Sequence, residues 1–264
     1  MAQHLFRFGV VVPVALTGEE WVEKARRIES LGYSTLVMPD GLRYPAFAPM
    51  PALAVAAAVT TSLRVGTYVV ANDYRNPVVL AKEAATVDVL SGGRFELGIG
   101  AGRPNAGDDN RMMGIGFDSG AVRVARMAES LALVKALLAG EPAEATGPHY
   151  AVASAAIGPR PVQRPRPPIL VAGSGRRLLS LAAREADIVA LGVPPTESEA
   201  GLAERIGWLR EAAGPRFDQL ELNLNLMAVG DQVPRHVSAQ MGLTAAGLAE
   251  MEALAPVVER LAGR

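Results

Sequence analysis

Seven short apolar runs of strand type, separated by longer runs of helix type, constrain the fold of this 264-residue chain more than any other feature. The predicted strands are Arg7–Pro13, Thr35–Asp40, Leu63–Val70, Arg94–Ile99, Ile169–Ala172, Ile188–Leu191 and Leu220–Val229. Strands that alternate with helices pair in parallel through right-handed crossovers, which gives a doubly wound sheet or a closed barrel. Seven such units without an obvious reversal favour an α/β fold of the (β/α)₈ TIM-barrel type.

The alternation is interrupted after the fourth strand. Residues 101–119 are rich in Gly, Asn and Asp and are too long for a simple connection. A helix is predicted at about Ala121–Leu138, and the Pro-rich stretch Gly147–Pro168 is predicted to be irregular. We therefore predict one TIM-barrel domain over residues 1–264 with an insertion at about 101–168.

The composition argues against several classes of function. A net charge of −1 gives no sign of a nucleic-acid groove or of an anionic membrane surface. The chain has no cysteine, and its three histidines show no ligand spacing, so no metal site is predicted. The longest apolar run, Ala52–Val59, is too short to span a bilayer, and no signal peptide is evident. We expect a cytoplasmic protein.

The active site of a barrel lies at the carboxyl ends of its strands, so the residues that follow each strand are the candidates. Asp40 ends a mainly apolar strand and is the candidate catalytic carboxylate, which could orient a heterocycle or accept a proton; alternatively it is an N-cap or turn residue. Asn72 could hydrogen-bond a pyrimidine-like edge. Arg75 either meets an anionic group or forms an ion pair that orders its loop, and Tyr74 is more often a packing residue.

Two glycine-rich segments are candidate binding loops. Gly100, Ala101 and Gly102 are small enough to let the backbone approach a flat ring or a chain of phosphates, although a plain turn is the alternative. In the second segment, a serine between two glycines is predicted to cap a helix and to offer free N–H groups to a phosphate, with charge added by the arginines. Its residues are Gly173, Ser174, Gly175 and Arg176, followed by Arg177.

Three strings in the first half of the chain carry a resemblance to a known family. They are Leu63–Thr67, Arg75–Pro77 and Leu90–Gly102, the last with the sequence Leu-Ser-Gly-Gly-Arg-Phe-Glu-Leu-Gly-Ile-Gly-Ala-Gly. They resemble the luciferase-like monooxygenase superfamily and, more narrowly, its actinobacterial branch of coenzyme F-420-dependent oxidoreductases. The resemblance covers nearly the whole chain in order, through Pro168–Gly173 and Ala186–Asp187.

The resemblance implies a dimeric barrel that binds coenzyme F-420 or FMN and transfers a hydride to or from a small-molecule substrate. It also implies a non-proline cis peptide bond at Tyr68–Val69, in a strand bulge behind the flavin ring, so that both residues contact the cofactor. The chain departs from its relatives at Gly41, where they often carry His, and at Arg103, where the sugar-phosphate dehydrogenases carry Glu. Because both changes remove proton-transfer groups, sugar-phosphate dehydrogenation is not predicted.

Relatives have an eighth strand before their terminal helix, and the sequence after Val229 shows no such strand. An open sheet edge leaves N–H and C=O groups unpaired. We therefore expect that about 25 residues, one crossover helix plus one strand, are missing near Glu250–Met251, through a deletion or because they are not ordered. The helices after strands two and three are predicted to form a homodimer interface, because Ala52–Val59 is apolar on all faces.

Three functional hypotheses follow. The leading one is hydride transfer between coenzyme F-420 and an unidentified organic substrate. The first alternative is an FMN-dependent monooxygenase on the same fold. The second, from another class, is a non-catalytic flavin-binding barrel, which the missing His and Glu keep open.

Overall fold

A curled sheet of parallel strands positions the candidate site in the computed structural model, which describes residues 6–13, 17–43, 45–103, 105–194, 197–225, 256 and 259. The strands within these ranges are β1 (Gly9–Val11), β2 (Thr35–Met38), β3 (Arg64–Thr67), β4 (Val70–Ala71), β5 (Phe95–Gly100), β6 (Ala143–Thr146), β7 (Ala151–Ala155), β8 (Ile169–Gly173), β9 (Ile188–Leu191) and β10 (Glu221–Leu224). The helices are α1 (Gly18–Ser30), α2 (Pro49–Ala58), α3 (Pro77–Leu90), α4 (Gly107–Met112), α5 (Gly120–Ala139), α6 (Arg176–Glu185) and α7 (Glu199–Ala213), with 3₁₀ turns at Asn72–Tyr74 and Gly214–Gln219.

The sheet has the strand order β1-β2-β3-β5-β8-β9-β10, and β4 continues the β3 segment against β5. Every pair in this sheet is parallel, which confirms the predicted order of the seven strand regions. The sheet curls far enough for opposite strands to touch. Tyr68 Oη lies 2.9 Å from Asn223 Oδ1 across the interior, and Arg7 Nη2 lies 2.6 Å from Glu221 Oε1, which links the two edge strands.

The helices pack their apolar sides on the sheet. On α1, Thr17 and Glu20 form a capping box, and the side chains of Trp21, Ala25 and Ile28 are buried. The three- and four-residue spacing of these apolar positions places them on one side of the helix. Helix α3 begins with Asn76 as its N-cap and Pro77 in its first turn, where the absent N–H of proline costs no hydrogen bond.

A bulge interrupts the pairing of β3–β4 with β5. Gly66 pairs with Glu96, whereas Val70 pairs with Ile99, so three residues of the first segment face two of the second. The non-proline cis peptide bond lies at Tyr68–Val69, which confirms the position implied by the resemblance. An extra residue in one strand of a pair bends that strand and changes the direction of its side chains.

Arg94, in the Leu-Ser-Gly-Gly-Arg string, has a structural role at the opposite end of the strands. Its guanidinium donates to the carbonyl oxygens of Ser91, Leu63 and Ala57 at 2.7, 2.7 and 2.8 Å. This side chain therefore ties the start of β5 to the turn between α2 and β3.

The insertion contains more regular structure than the sequence predicted. The predicted loop at 101–119 includes α4, and the stretch predicted to be irregular, Gly147–Pro168, contains β7, which pairs antiparallel with β6 just before that stretch. Both predictions were wrong in detail, because α4 is only six residues long and β7, with the sequence Ala-Val-Ala-Ser-Ala, lacks a clear alternation of apolar and polar positions. The predicted helix at Ala121–Leu138 is confirmed as α5.

The predicted break near Glu250–Met251 and the end of the seventh predicted strand after residue 225 lie outside the described residues. Among the residues that are described, no helix combines the length and the apolar character needed to cross a bilayer.

Candidate active site at the carboxyl ends of the strands

Three neighbouring strands end at the same level. Ala71 on β4 pairs with Gly100 on β5, and Ile99 on β5 pairs with Val171 on β8. The segments that follow, at Asn72, Ala101 and Gly173, therefore leave the sheet side by side, as expected for loops that build one site.

Asp40 is held by two donors at this end of the barrel. Its Oδ2 accepts a hydrogen bond from Arg75 Nη1 at 2.5 Å and one from the Ala71 amide at 3.3 Å. The Asp40 side chain is only 7% exposed, so this ion pair is largely shielded from water. Arg75 thus orders its loop through an ion pair, which was one of the two roles predicted for it, and it also approaches Glu83 Oε2 at 3.4 Å.

Asn72 is buried in the 3₁₀ turn that follows β4. Its Nδ2 donates to Tyr150 Oη at 3.1 Å, and its Oδ1 has no hydrogen-bond partner among the described residues. A buried acceptor without a partner is costly in a finished protein, so this oxygen is suited to accept from a ligand N–H. Asn72 and Tyr150 line a cavity of about 320 Å³ together with Asp73, Tyr74, Arg75, Asn76, Ile115, Gly116, Asp118 and Arg126.

The hydroxyl groups of the two tyrosines that the sequence analysis named, Tyr68 and Tyr74, both form hydrogen bonds within the protein. Burial raises the pKa of Tyr68 to about 12, and its hydroxyl bonds to Asn223 inside the barrel. Tyr74 donates to Asp109 Oδ2 at 3.1 Å, and burial together with that carboxylate raises the pKa of its phenol. Both phenols are therefore neutral donors near pH 7.

Neighbouring protein atoms and backbone conformation explain why glycine occurs at the end of β5 and just after it. A Cβ at Gly100 would lie 2.7 Å from Val69 Cγ2, so the side chain of Val69 fills the space that glycine leaves. Gly102 has a φ of +84°, a conformation that favours glycine. Arg123 Nη1 fixes the run by donating to the carbonyl oxygens of Ala101 and Gly102 at 3.0 and 2.8 Å.

The segment after β8 forms an open helix N-terminus. Ser174 is not the N-cap, which corrects the prediction: α6 begins at Arg176, its N-cap is Gly175, and no side chain caps it. Leu179 donates the first i→i−4 amide hydrogen bond, to the Gly175 carbonyl oxygen. The preceding amides in the first turn of α6 are thus placed to bind an anion.

The space beside this turn also fits a ligand. A Cβ added at Gly175 would meet no atom within 4 Å, whereas the Arg176 side chain is occupied by Glu211 at 2.8 Å. The open turn and the partnerless oxygen of Asn72 together fit a flavin-type cofactor with a phosphate-bearing tail. No group of three or more possible metal ligands occurs in the described parts of the chain.

Three residues of this region were not predicted from the sequence. Arg123, Tyr150 and Asp109 lie in the insertion and contact residues that are 22, 78 and 35 positions earlier in the chain. The side chains of Arg123 and Asp109 are buried despite their charge. Only a prediction that α4, α5 and the hairpin fold back over the carboxyl ends of the strands would have found them.

Comparisons with known proteins bear on the family and the fold of the chain. The model of the luciferase-like monooxygenase family matches residues 6–255. An uncharacterised protein of Mycobacterium tuberculosis is 30% identical over 216 residues, which are 74% of this chain and 72% of that protein. The F-420-dependent glucose-6-phosphate dehydrogenase of Beutenbergia cavernae is 34% identical over 166 residues, 60% of this chain and 48%, or about half, of the dehydrogenase. A monooxygenase from Streptomyces bottropensis has the same fold, with a TM-score of 0.72 at 23% identity over 97% of this chain and 82% of that structure.

Proposed function

Because the chain belongs to the luciferase-like monooxygenase family, we propose that it binds coenzyme F-420 at the carboxyl ends of β4, β5 and β8 and transfers a hydride between this coenzyme and a small organic substrate. The observation that carries the proposal is the open N-terminus of α6, which follows β8 directly and lies level with the turn that holds Asn72. The name of the dehydrogenase of Beutenbergia cavernae supports F-420 as the coenzyme.

Each part of the site has a proposed role. The first-turn amides of α6, with Gly173 to Arg176, bind the phosphate of the coenzyme. Asn72 Oδ1 accepts a hydrogen bond from the ring, and the backbone at Tyr68–Val69 and Gly100–Gly102 lies against it. When bound, the deazaflavin supplies the hydride chemistry, while the protein orients it.

Asp40 is the proposed catalytic carboxylate. Since Arg75 and the Ala71 amide both bind its Oδ2, a substrate or proton has to approach Oδ1. The ion pair holds the carboxylate in one orientation, so Oδ1 has a fixed position relative to a bound ligand. The proposed substrate is a small molecule. We also propose that the protein is cytoplasmic.

We also propose that the chain forms a homodimer through α2 and α3. Val55 on α2 and Val79, Val89 and Leu90 on α3 are exposed apolar side chains. Helices α2 and α3 pack against each other, so a second copy that covers both of them would bury all four side chains.

A second candidate is an FMN-dependent monooxygenase, which the description of the matching family model favours. Equilibrium binding of the purified full-length chain to F-420 and to FMN, followed by cofactor fluorescence, separates the two. We expect micromolar affinity for F-420, and we expect the bound, reduced deazaflavin to persist in air until a substrate is added. Micromolar affinity for FMN with no binding of F-420 contradicts the proposal and supports the monooxygenase. A cofactor that binds but is neither oxidised nor reduced when small organic substrates are added supports the non-catalytic barrel.

A further inference from the structure

Asp109, on α4 in the insertion, is a fully buried carboxylate with three side-chain donors. Its Oδ2 accepts from Arg103 Nη2 at 3.0 Å and from Tyr74 Oη at 3.1 Å, and its Oδ1 accepts from Arg43 Nε at 3.1 Å. The Asp109 side chain is 0% exposed. A buried charge of this kind is tolerated only when its hydrogen bonds are satisfied, so the three donors are held in place by it.

The three donors come from three different loops at the carboxyl ends of the strands. Arg43 lies in the loop after β2, which begins with Asp40; Tyr74 lies in the turn after β4, which carries Asn72; and Arg103 follows the glycine run after β5. These three loops and the segment Gly173–Arg176 form the proposed cofactor site. Asp40 already links the first two of these loops through the Ala71 amide and Arg75, and the Asp109 carboxylate adds a contact shared by all three.

We propose that Asp109 is a positioning residue of the cofactor site: it locks the loops after β2, β4 and β5 into one arrangement and thereby sets the separation of Asp40, Asn72 and the Gly100–Gly102 backbone. The identity of the ligand in this inference rests on the proposed function, whereas the locking of the loops does not.

The charge of Asp109 is essential to this role, and its shape alone is insufficient. Two guanidinium groups and a phenol all donate toward the same carboxylate, and charge-assisted hydrogen bonds are stronger than neutral ones. An amide in its place presents an N–H₂ group to donors, so at least one of the three contacts is lost. The adjacent Asp108 also pairs with Arg43, at 2.6 Å, but its side chain is 46% exposed, and an exposed pair contributes little.

The test compares Asp109→Asn with two control variants of the full-length chain. Asp108→Asn removes a neighbouring charge from the same arginine. Asp88→Asn alters a carboxylate that is equally buried but binds Val162 and Gln163. These contacts lie near the amino end of β5, away from the carboxyl ends that form the candidate site. Backbone amide hydrogen exchange of the protein without cofactor, thermal unfolding, and the affinity for F-420 and FMN are measured for each.

We expect Asp109→Asn to raise exchange in the segments 41–43, 72–75 and 101–103 together and to weaken binding of the cofactor by about tenfold. We also expect the titration of Tyr74, followed by tyrosinate absorbance, to move to lower pH in this variant alone. Asp108→Asn is expected to change affinity by less than about twofold. Asp88→Asn is expected to lower the unfolding temperature without changing exchange in the three segments.

Unchanged exchange in the three segments of Asp109→Asn overturns the proposal, whether or not a cofactor binds. A loss of affinity in Asp88→Asn that matches that of Asp109→Asn also overturns it, because stability alone then explains the effect. If Asp109→Asn does not fold, Tyr74→Phe removes one donor only and is expected to raise exchange in segment 72–75; an unchanged segment there contradicts the proposal. Failure of the wild-type chain to bind either cofactor refutes the proposed function. The hydrogen-exchange result then decides the proposal about Asp109 on its own.

Discussion

Gly98 on β5 shows at the scale of one residue how the bulge is accommodated. A Cβ at this position would lie 2.0 Å from the Thr67 carbonyl oxygen, so only glycine allows the two backbones to approach. The Thr67 hydroxyl donates to the Gly98 carbonyl oxygen at 2.7 Å and accepts from the Gly98 amide at 2.8 Å. The side chain of Thr67 thus replaces the backbone hydrogen bonds that the bulge interrupts.

Gly98→Ala is therefore expected to destabilise the protein by about 1–3 kcal/mol or more, because the added methyl group forces β3 away from β5. Gly207→Ala is the control, since a Cβ at this exposed position in α7 meets no atom within 4 Å, and it is expected to stabilise by about 0.5–1 kcal/mol. Chemical denaturation of both variants measures the difference. Equal stability of Gly98→Ala and wild type contradicts the close approach of the two backbones.

At the scale of elements, Glu29 on α1 joins one helix to the turn between α2 and β3. Its Oε1 accepts from the amides of Thr61, Ser62 and Leu63 at 2.7–2.9 Å. Burial raises the pKa of Glu29, but the three amide donors outweigh it and lower that pKa from its ordinary 4.5 to about 2. A depressed pKa stabilises the fold above the ordinary value, and this contribution is lost as the pH falls toward the folded value.

We expect Glu29→Gln to lower the free energy of unfolding by about 1–2 kcal/mol near neutral pH, a figure reduced from the full shift because the carboxylate is partly exposed. The difference from wild type is expected to shrink between pH 4.5 and pH 2. Urea unfolding across this pH range measures it, with Glu23→Gln, an exposed change on the same helix, as the control. A difference that stays constant with pH contradicts the role of the three amides.

The elements also differ in how well the sequence predicts them. β8 and β9 are continuous apolar runs and β5 is interrupted only by Glu96, because strands buried between helices face apolar surroundings on both sides; all three were predicted. The hairpin of β6 and β7 is largely exposed and lacks that signal. Asp40 and Asn72 were predicted from their position after a strand, whereas Asp109 was not, because its role depends on contacts across the insertion.

At the scale of the whole molecule, α2 and α3 leave apolar side chains at the surface, and these carry the proposed homodimer. Val79→Glu is expected to convert a dimer into a monomer at micromolar concentration, because it places an unpaired charge in the interface. Ala203→Glu is the control, since Ala203 is an exposed position on α7, which packs against α6. Analytical ultracentrifugation measures the change, and a monomeric wild-type protein at that concentration contradicts the prediction.

The central claim is that a phosphate-bearing flavin-type cofactor lies against the N-terminus of α6. Gly175→Val tests it most directly, because a Cβ there meets no protein atom within 4 Å and the side chain narrows the space beside the turn. The cost of valine at the N-cap of α6 is separated from the loss of the ligand by the free energy of unfolding. The measurement is the dissociation constant for F-420 beside the free energy of unfolding, with Gly207→Val, equally open but in α7, as the control.

We predict that Gly175→Val weakens binding at least about tenfold, or about 1.4 kcal/mol, and changes stability by less than about 1 kcal/mol. Gly207→Val is predicted to leave the affinity unchanged. An unchanged affinity in Gly175→Val, or a loss of affinity matched by an equal loss of stability, contradicts the account.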